Sequence, residues 1–170
     1  MNTEHRKYLV FGSIAVLMIA LDQWTKAIVR EAFPDVGLAG KSVFGNVVSL
    51  QHFENTGMSF GMLRALPGGR LILAALAMLA FVLLIYYLRR TPTGDLRMHV
   101  AMGLMGGGAG NLIDRIRLGS VTDFLVVNLG FWPFNPWPAW NVADAALVIG
   151  VGLMGIFMLR PQRATAPAPP

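Results

Sequence analysis

The 170-residue chain contains no cysteine, which excludes a disulfide framework, a thiol nucleophile and any thiolate metal site. Its three histidines, His5, His52 and His99, show no metal-binding spacing. Charge is scarce as well. Only 14% of the residues are Asp, Glu, Lys or Arg, against 55% hydrophobic, a balance too poor in charge for a soluble domain of this size. No phosphate loop, dinucleotide fingerprint, His-Glu metalloprotease motif or serine-elbow motif occurs. The net charge of +5 does not indicate a nucleic-acid partner, because Lys and Arg stand singly or in pairs at the ends of apolar runs, where they set membrane orientation.

What the chain does have is apolar length. Four segments predict an all-α membrane bundle of four transmembrane helices in a single domain over residues 1–160. Leu71–Leu88 is an uncharged run between Arg70 and Arg89, about 27 Å long as a helix. Tyr8–Leu21 continues through Asp22 to Val29. It reads as a retained helix because residues 22–26 offer no small-x-small cleavage pattern. Met98–Ile116 carries the pairs Gly103/Gly107 and Gly106/Gly110, which permit close helix contact. The fourth segment, Asn141–Leu159, stops at Arg160-Pro161, and the Pro/Ala-rich residues 161–170 are expected to be disordered. Val43–Phe53 suits a short strand or hairpin, with His52 as a polar residue of a surface strand, and the prolines and aromatics of 131–138 suit the headgroup level.

Two Lys/Arg precede Tyr8, three fall within 89–97 and two follow Leu159. The positive-inside rule then puts both termini in the cytoplasm. On that topology several polar residues reach one outer-leaflet depth. Asp22 lies in the outer half of the first helix. Asn111, Asp114 and Arg115 end the third, Asn141 and Asp144 begin the fourth, and Asp123 returns toward them after a short turn.

Bland readings exist for each. Asp22 and Lys26 suit an i,i+4 salt bridge at the interface, and Asp114 with Arg115 suits end-of-helix charges. Asn55, Asn111 and Asn141 suit interhelical bonds or turn caps. Asp144 suits a helix N-terminus, and Asp123 an Asx turn. Against these stands the cost of carboxylates in or near a bilayer. Two close aspartates share a proton, so one can activate water while the other polarises a peptide carbonyl. The residues alone leave open an aspartyl peptidase, a proton-coupled membrane transporter and a structural subunit.

Five fragments in order resemble the lipoprotein signal peptidase (signal peptidase II) family across about residues 8–160. They are D-Q-W-T-K at 22–26, F-E-N-T-G-M-S-F-G at 53–61, G-G-A-G-N-L-I-D-R at 107–115, V-T-D-F at 121–124 and N-V-A-D-A at 141–145. The resemblance implies an aspartic endopeptidase that removes the signal peptide from prolipoproteins, cutting just before a diacylglyceryl cysteine, with Asp123 and Asp144 as the catalytic pair. It implies supporting or substrate-binding roles for Asp22, Asn55, Asn111, Asp114, Arg115 and Asn141, and a small extracytoplasmic β-rich cradle at about 40–63. It implies no metal or other cofactor and no nucleic acid. The expected partners are prolipoprotein substrates and membrane lipids, and the expected protein is a monomer of the bacterial inner membrane with its site toward the periplasm. Met58-Ser59, where Ala-Ala is usual, and Trp140, where Phe is common, depart from the pattern without touching either carboxylate.

Overall fold

A computed structural model describes residues 3–38, 40–57, 68–131 and 138–159. The expected disordered tail at 161–170, the 58–63 part of the cradle and the aromatic-proline residues 132–137 lie outside this set. Among the described residues, three helices are long and apolar enough to cross a membrane: α1 (Thr3–Ala32), α2 (Gly69–Arg90) and α5 (Val142–Leu159). The remaining apolar segment is not one continuous helix. It forms α3 (Leu96–Gly107) and α4 (Ala109–Arg117), divided at Gly108. Gly106, Gly107 and Gly108 supply no side chains and favour the helix least among residues other than proline. At the break the Gly108 amide turns to the Met105 carbonyl, three residues back, at 3.0 Å.

Small residues let α3 lie close to both α1 and α5. A β-carbon on Gly103 would strike Ile14, one on Gly107 would strike Met18, and one on Gly150 would strike the Ala101 carbonyl. The glycine-rich run therefore acts as the contact surface expected of it. Phe11, Leu84, Leu88, Met98 and Met102 form a buried cluster, with Met154 and Phe157 of α5 packed against it. Leu71, Val82, Val148 and Leu159 point outward, which in a bilayer brings them against acyl chains rather than water. The helix ends are also tied. Lys7, itself buried, donates to the Arg89 and Thr91 carbonyls at 3.3 and 3.4 Å where α2 ends, and Asp95 caps α3 by accepting from the Met98 amide at 3.1 Å.

An antiparallel sheet, ordered β1-β2-β3, joins the bundle at one end. The expected hairpin is β1 (Lys41–Phe44) and β2 (Val48–Asn55), turning through Gly45 at φ 52°. The third strand, β3 (Val121–Val127), was not expected. Reading V-T-D-F as the return from a turn overlooks the Leu125-Val126-Val127 that follows it, an apolar continuation whose two β-branched valines are typical of a strand. Phe53 pairs with Asp123 and Glu54 with Thr122. Trp140 exchanges backbone bonds with Leu125 at 2.9 and 3.1 Å, so the start of α5 is pinned beside the strand that carries Asp123.

Candidate active site

Asn141 and Asp144 form a reciprocal cap at the start of α5. The Asn141 side chain accepts from the Asp144 amide at 3.0 Å, and the Asp144 carboxylate accepts from the Asn141 amide at 3.3 Å. The intervening Ala143 amide donates to Asp22 Oδ1 at 2.9 Å. Orphan amides of a helix start thus find oxygens from α1 and from the cap itself. The same cap directs Asn141 Nδ2 toward β3, where it donates to Asp123 Oδ1 at 2.7 Å. A single asparagine therefore bonds both Asp123 and Asp144, which lie on different elements. Asn141 Nδ2 also approaches Asn111 Oδ1 at 3.0 Å and the Thr122 carbonyl at 3.3 Å.

Each carboxylate has a second asparagine. Asn55, the last residue of β2, donates to Asp123 Oδ2 at 2.9 Å, and Asn111 of α4 donates to Asp144 Oδ1 at 2.7 Å. Asp123 is 4% exposed. Burial pushes its carboxyl up to about 6, with the nearby Asp144 charge adding to the rise, while the bonds from Asn55 and Asn141 oppose it.

Beneath the pair lies an ionic cluster. Lys26 is fully buried and bridges Asp22 and Asp114 at 2.8 Å each, and its third contact is Asn111 Oδ1 at 2.7 Å. This corrects the reading of Asp22 and Lys26 as an interfacial salt bridge: both are inaccessible, and the lysine binds three partners. Gln23 donates to Asp22 at 3.2 Å and to Asp114 at 2.9 Å, while the Thr122 amide donates to Asp114 Oδ2 at 3.3 Å. Gly110 sits directly against the Asp22 carboxylate, with no room for a β-carbon. Arg115, half-buried, donates to the Asn111 carbonyl at 3.3 Å and feels the charges of Asp144, Asp123 and Asp114.

All eight residues expected at the site, Asp22, Asn55, Asn111, Asp114, Arg115, Asp123, Asn141 and Asp144, are thus brought into one connected region. Lys26, Gln23 and Thr122 also belong to it, and sequence reasoning did not place them there. A run of polar residues inside an apolar helix, with Asp22, Gln23 and Lys26 within one turn or so, is the available signal for the first two. Thr122 carries none without its strand. His52, read as a surface residue, is buried: its ring bonds the Phe33 carbonyl and Glu54, each at 2.8 Å.

The arrangement suits proton transfer. Two carboxylates are held by neutral amides, which orient them without supplying a counter-charge directly to either.

Comparison with known proteins gives the family. The model of the family described as signal peptidase (SPase) II matches residues 14–160. The lipoprotein signal peptidase of Symbiobacterium thermophilum is 38% identical over 152 residues, covering 88% of this chain and 94% of that protein. The lipoprotein signal peptidase of Paraburkholderia phymatum is 38% identical over 152 residues, covering 88% and 87%. Two solved structures of a bacterial membrane enzyme share the fold. One has a TM-score of 0.76 at 31% identity, covering 88% of this chain and 87% of that one. The other has a TM-score of 0.78 at 29% identity, covering 89% and 94%.

Proposed function

The chain belongs to the signal peptidase II family, and from that membership we propose that it is an aspartic endopeptidase cleaving diacylglyceryl-modified prolipoproteins just before the lipidated cysteine. The observation that carries the mechanism is the pair of hydrogen bonds that Asn141 donates, to Asp123 Oδ1 through its side chain and to Asp144 Oδ2 through its backbone amide.

Two carboxylates so joined cannot both ionise cheaply, and the dyad works with one shared proton. The ionised member takes a proton from water as the water oxygen attacks the scissile carbonyl carbon. The protonated member gives its proton to the carbonyl oxygen, forming a gem-diol. A proton then passes from the dyad to the cysteine nitrogen, a gem-diol hydroxyl returns one to the dyad, and the C–N bond breaks. Asn55 and Asn111 orient the outer oxygen of each carboxylate. Lys26, Asp22 and Asp114 act behind them, fixing Asn111 and the start of α5.

In this reading α3 and α4 together make a fourth crossing. Their span, Leu96 to Arg117, is about 33 Å at ~1.5 Å per residue. Both termini lie in the cytoplasm of a bacterial inner membrane and the carboxylates face the periplasm. There a lipidated substrate can enter sideways from the outer leaflet. The protein acts as a monomer.

The test is processing of a diacylglyceryl-modified prolipoprotein by purified protein. Asp123→Asn and Asp144→Asn are each expected to abolish it while leaving a folded membrane protein, and chelator is expected to leave wild-type turnover unchanged. Appreciable turnover by either variant sinks the dyad.

A further inference from the structure

The sheet has a second polar face, turned away from the carboxylate pair. Asn55 and Asp123 point to one side, and His52 and Glu54 of β2 alternate with them and point to the other. Glu54 Oε1 accepts from His52 at 2.8 Å and from the Thr122 hydroxyl at 3.0 Å. The other oxygen, Oε2, accepts from the Ser120 hydroxyl. Burial pushes the Glu54 carboxyl up, but the bonds from Ser120, His52 and Thr122 outweigh it and hold it below the ordinary carboxylate range. An ionised Glu54 has no proton to offer His52.

His52 then faces acceptors on both sides, Glu54 Oε1 through Nε2 and the Phe33 carbonyl through Nδ1. A neutral imidazole carries only one N–H, so both contacts are hydrogen bonds only when both ring nitrogens donate. Phe33 immediately follows α1, and Arg30 from the last turn of α1 donates to the Thr122 hydroxyl at 2.9 Å. One carboxylate, Glu54, therefore gathers β2, β3 and the end of α1 around Thr122. Every polar atom of Thr122 is engaged: its amide with Asp114, its carbonyl with Asn141, its hydroxyl with Arg30 and Glu54.

We infer that His52 and Glu54 are positioning residues for the proposed reaction, forming a relay from the end of α1 through Thr122 that sets where Asp123 stands relative to Asp144. The inference rests on the dyad reading of the site. Neither residue touches Asp123. Their effect passes through the adjacent backbone, where a displacement near 1 Å costs a reaction on the order of a hundred-fold.

The experiment measures kcat, KM and the pH profile of prolipoprotein cleavage for Glu54→Gln, Glu54→Asp and His52→Gln, each normalised to folded protein by its thermal transition in detergent. Glu54→Gln and His52→Gln are expected to lower kcat by about ten-fold or more while KM stays within about two-fold. The pH limb governed by the aspartate pair should shift, and Glu54→Asp should recover part of kcat. If either Gln variant fails to fold, Ser120→Ala, which removes one donor to Glu54 and spares the His52–Glu54 contact, decides in its place with a smaller fall of the same kind. Unchanged kcat per folded molecule, or a change confined to KM, overturns the relay. Asp123→Asn is run beside them: turnover surviving there defeats the dyad itself, whereas turnover lost there and kept in Glu54→Gln defeats only the relay.

Discussion

Lys26 Nζ donates to Asn111 Oδ1 at 2.7 Å, and this contact decides which way the Asn111 amide faces. An ammonium has only donors, so the oxygen of Asn111 must point at it and the amide nitrogen must point away. That nitrogen meets Asp144 Oδ1 at 2.7 Å. A buried cation thus orients a carboxylate it does not touch.

Replacing Lys26 by Met would remove this control and leave Asp22 and Asp114 buried without their shared counter-charge. Breaking a buried pair in this way costs about 3–5 kcal/mol. Lys26→Met is therefore expected to unfold at a markedly lower temperature in detergent, with the double variant Lys26→Met/Asp114→Asn recovering part of the loss. Equal melting temperatures for Lys26→Met and wild type would contradict it.

Asn141→Ala deletes the bond to Asp123 and the side-chain half of the α5 cap. Loss of a cap costs about 0.5–2 kcal/mol, which a folded bundle can tolerate. Turnover is expected to fall by on the order of a hundred-fold, since orientation of the acid and base is worth that much. Steady-state cleavage by variant and wild type, compared per folded molecule, reads the effect.

Gly110 lies against the Asp22 carboxylate. In Gly110→Ala the new methyl must displace Asp22 from the Ala143 amide or force α4 from α1. Overpacking of this kind costs about 1–3 kcal/mol. The expected result is a lower melting temperature together with reduced turnover, whereas alanine should raise stability at an unhindered helical glycine.

Asp123 titrates at about 6, raised by burial above its ordinary 3.8. Between those values the folded protein keeps a proton that the unfolded chain has released. The stabilising contribution is therefore full below about pH 4 and is lost as pH rises through about 6. Asparagine does not titrate. The melting temperature of Asp123→Asn minus that of wild type should consequently increase from pH 4 to pH 7, whatever constant offset the amide introduces. A difference that stays flat or declines over that range would place the raised pKa elsewhere.

Single cysteines in this cysteine-free chain test orientation. Ser42→Cys should react with an impermeant thiol reagent added outside intact spheroplasts, and Thr93→Cys only after lysis. The reverse pattern would put the carboxylates on the cytoplasmic side, away from exported precursors.

Apolar length, scarcity of charge and the five ordered fragments are properties of the chain read one residue after another, and they suffice for a membrane bundle and for the family. They also suffice to nominate Asp123 and Asp144, because an ionisable group near lipid is costly wherever it stands. Pairing is another matter. Whether V-T-D-F-L-V-V is a turn or a strand depends on β2 lying alongside to take its backbone bonds. The break at Gly108 depends on how α3 packs between α1 and α5 as well as on weak helix propensity. Lys26 could not be distinguished from an interfacial lysine by spacing, since an i,i+4 pair with Asp22 looks the same exposed or buried. Only the arrival of Asp114 and Asn111 from α4 makes its burial affordable, by giving each of its protons an acceptor. Composition and local pattern therefore determined the class of protein and nominated the residues proposed to carry its chemistry. The tertiary fold decided which oxygen each amide and ammonium serves, because those partners lie up to 121 positions apart in sequence, as Asp22 and the Ala143 amide do.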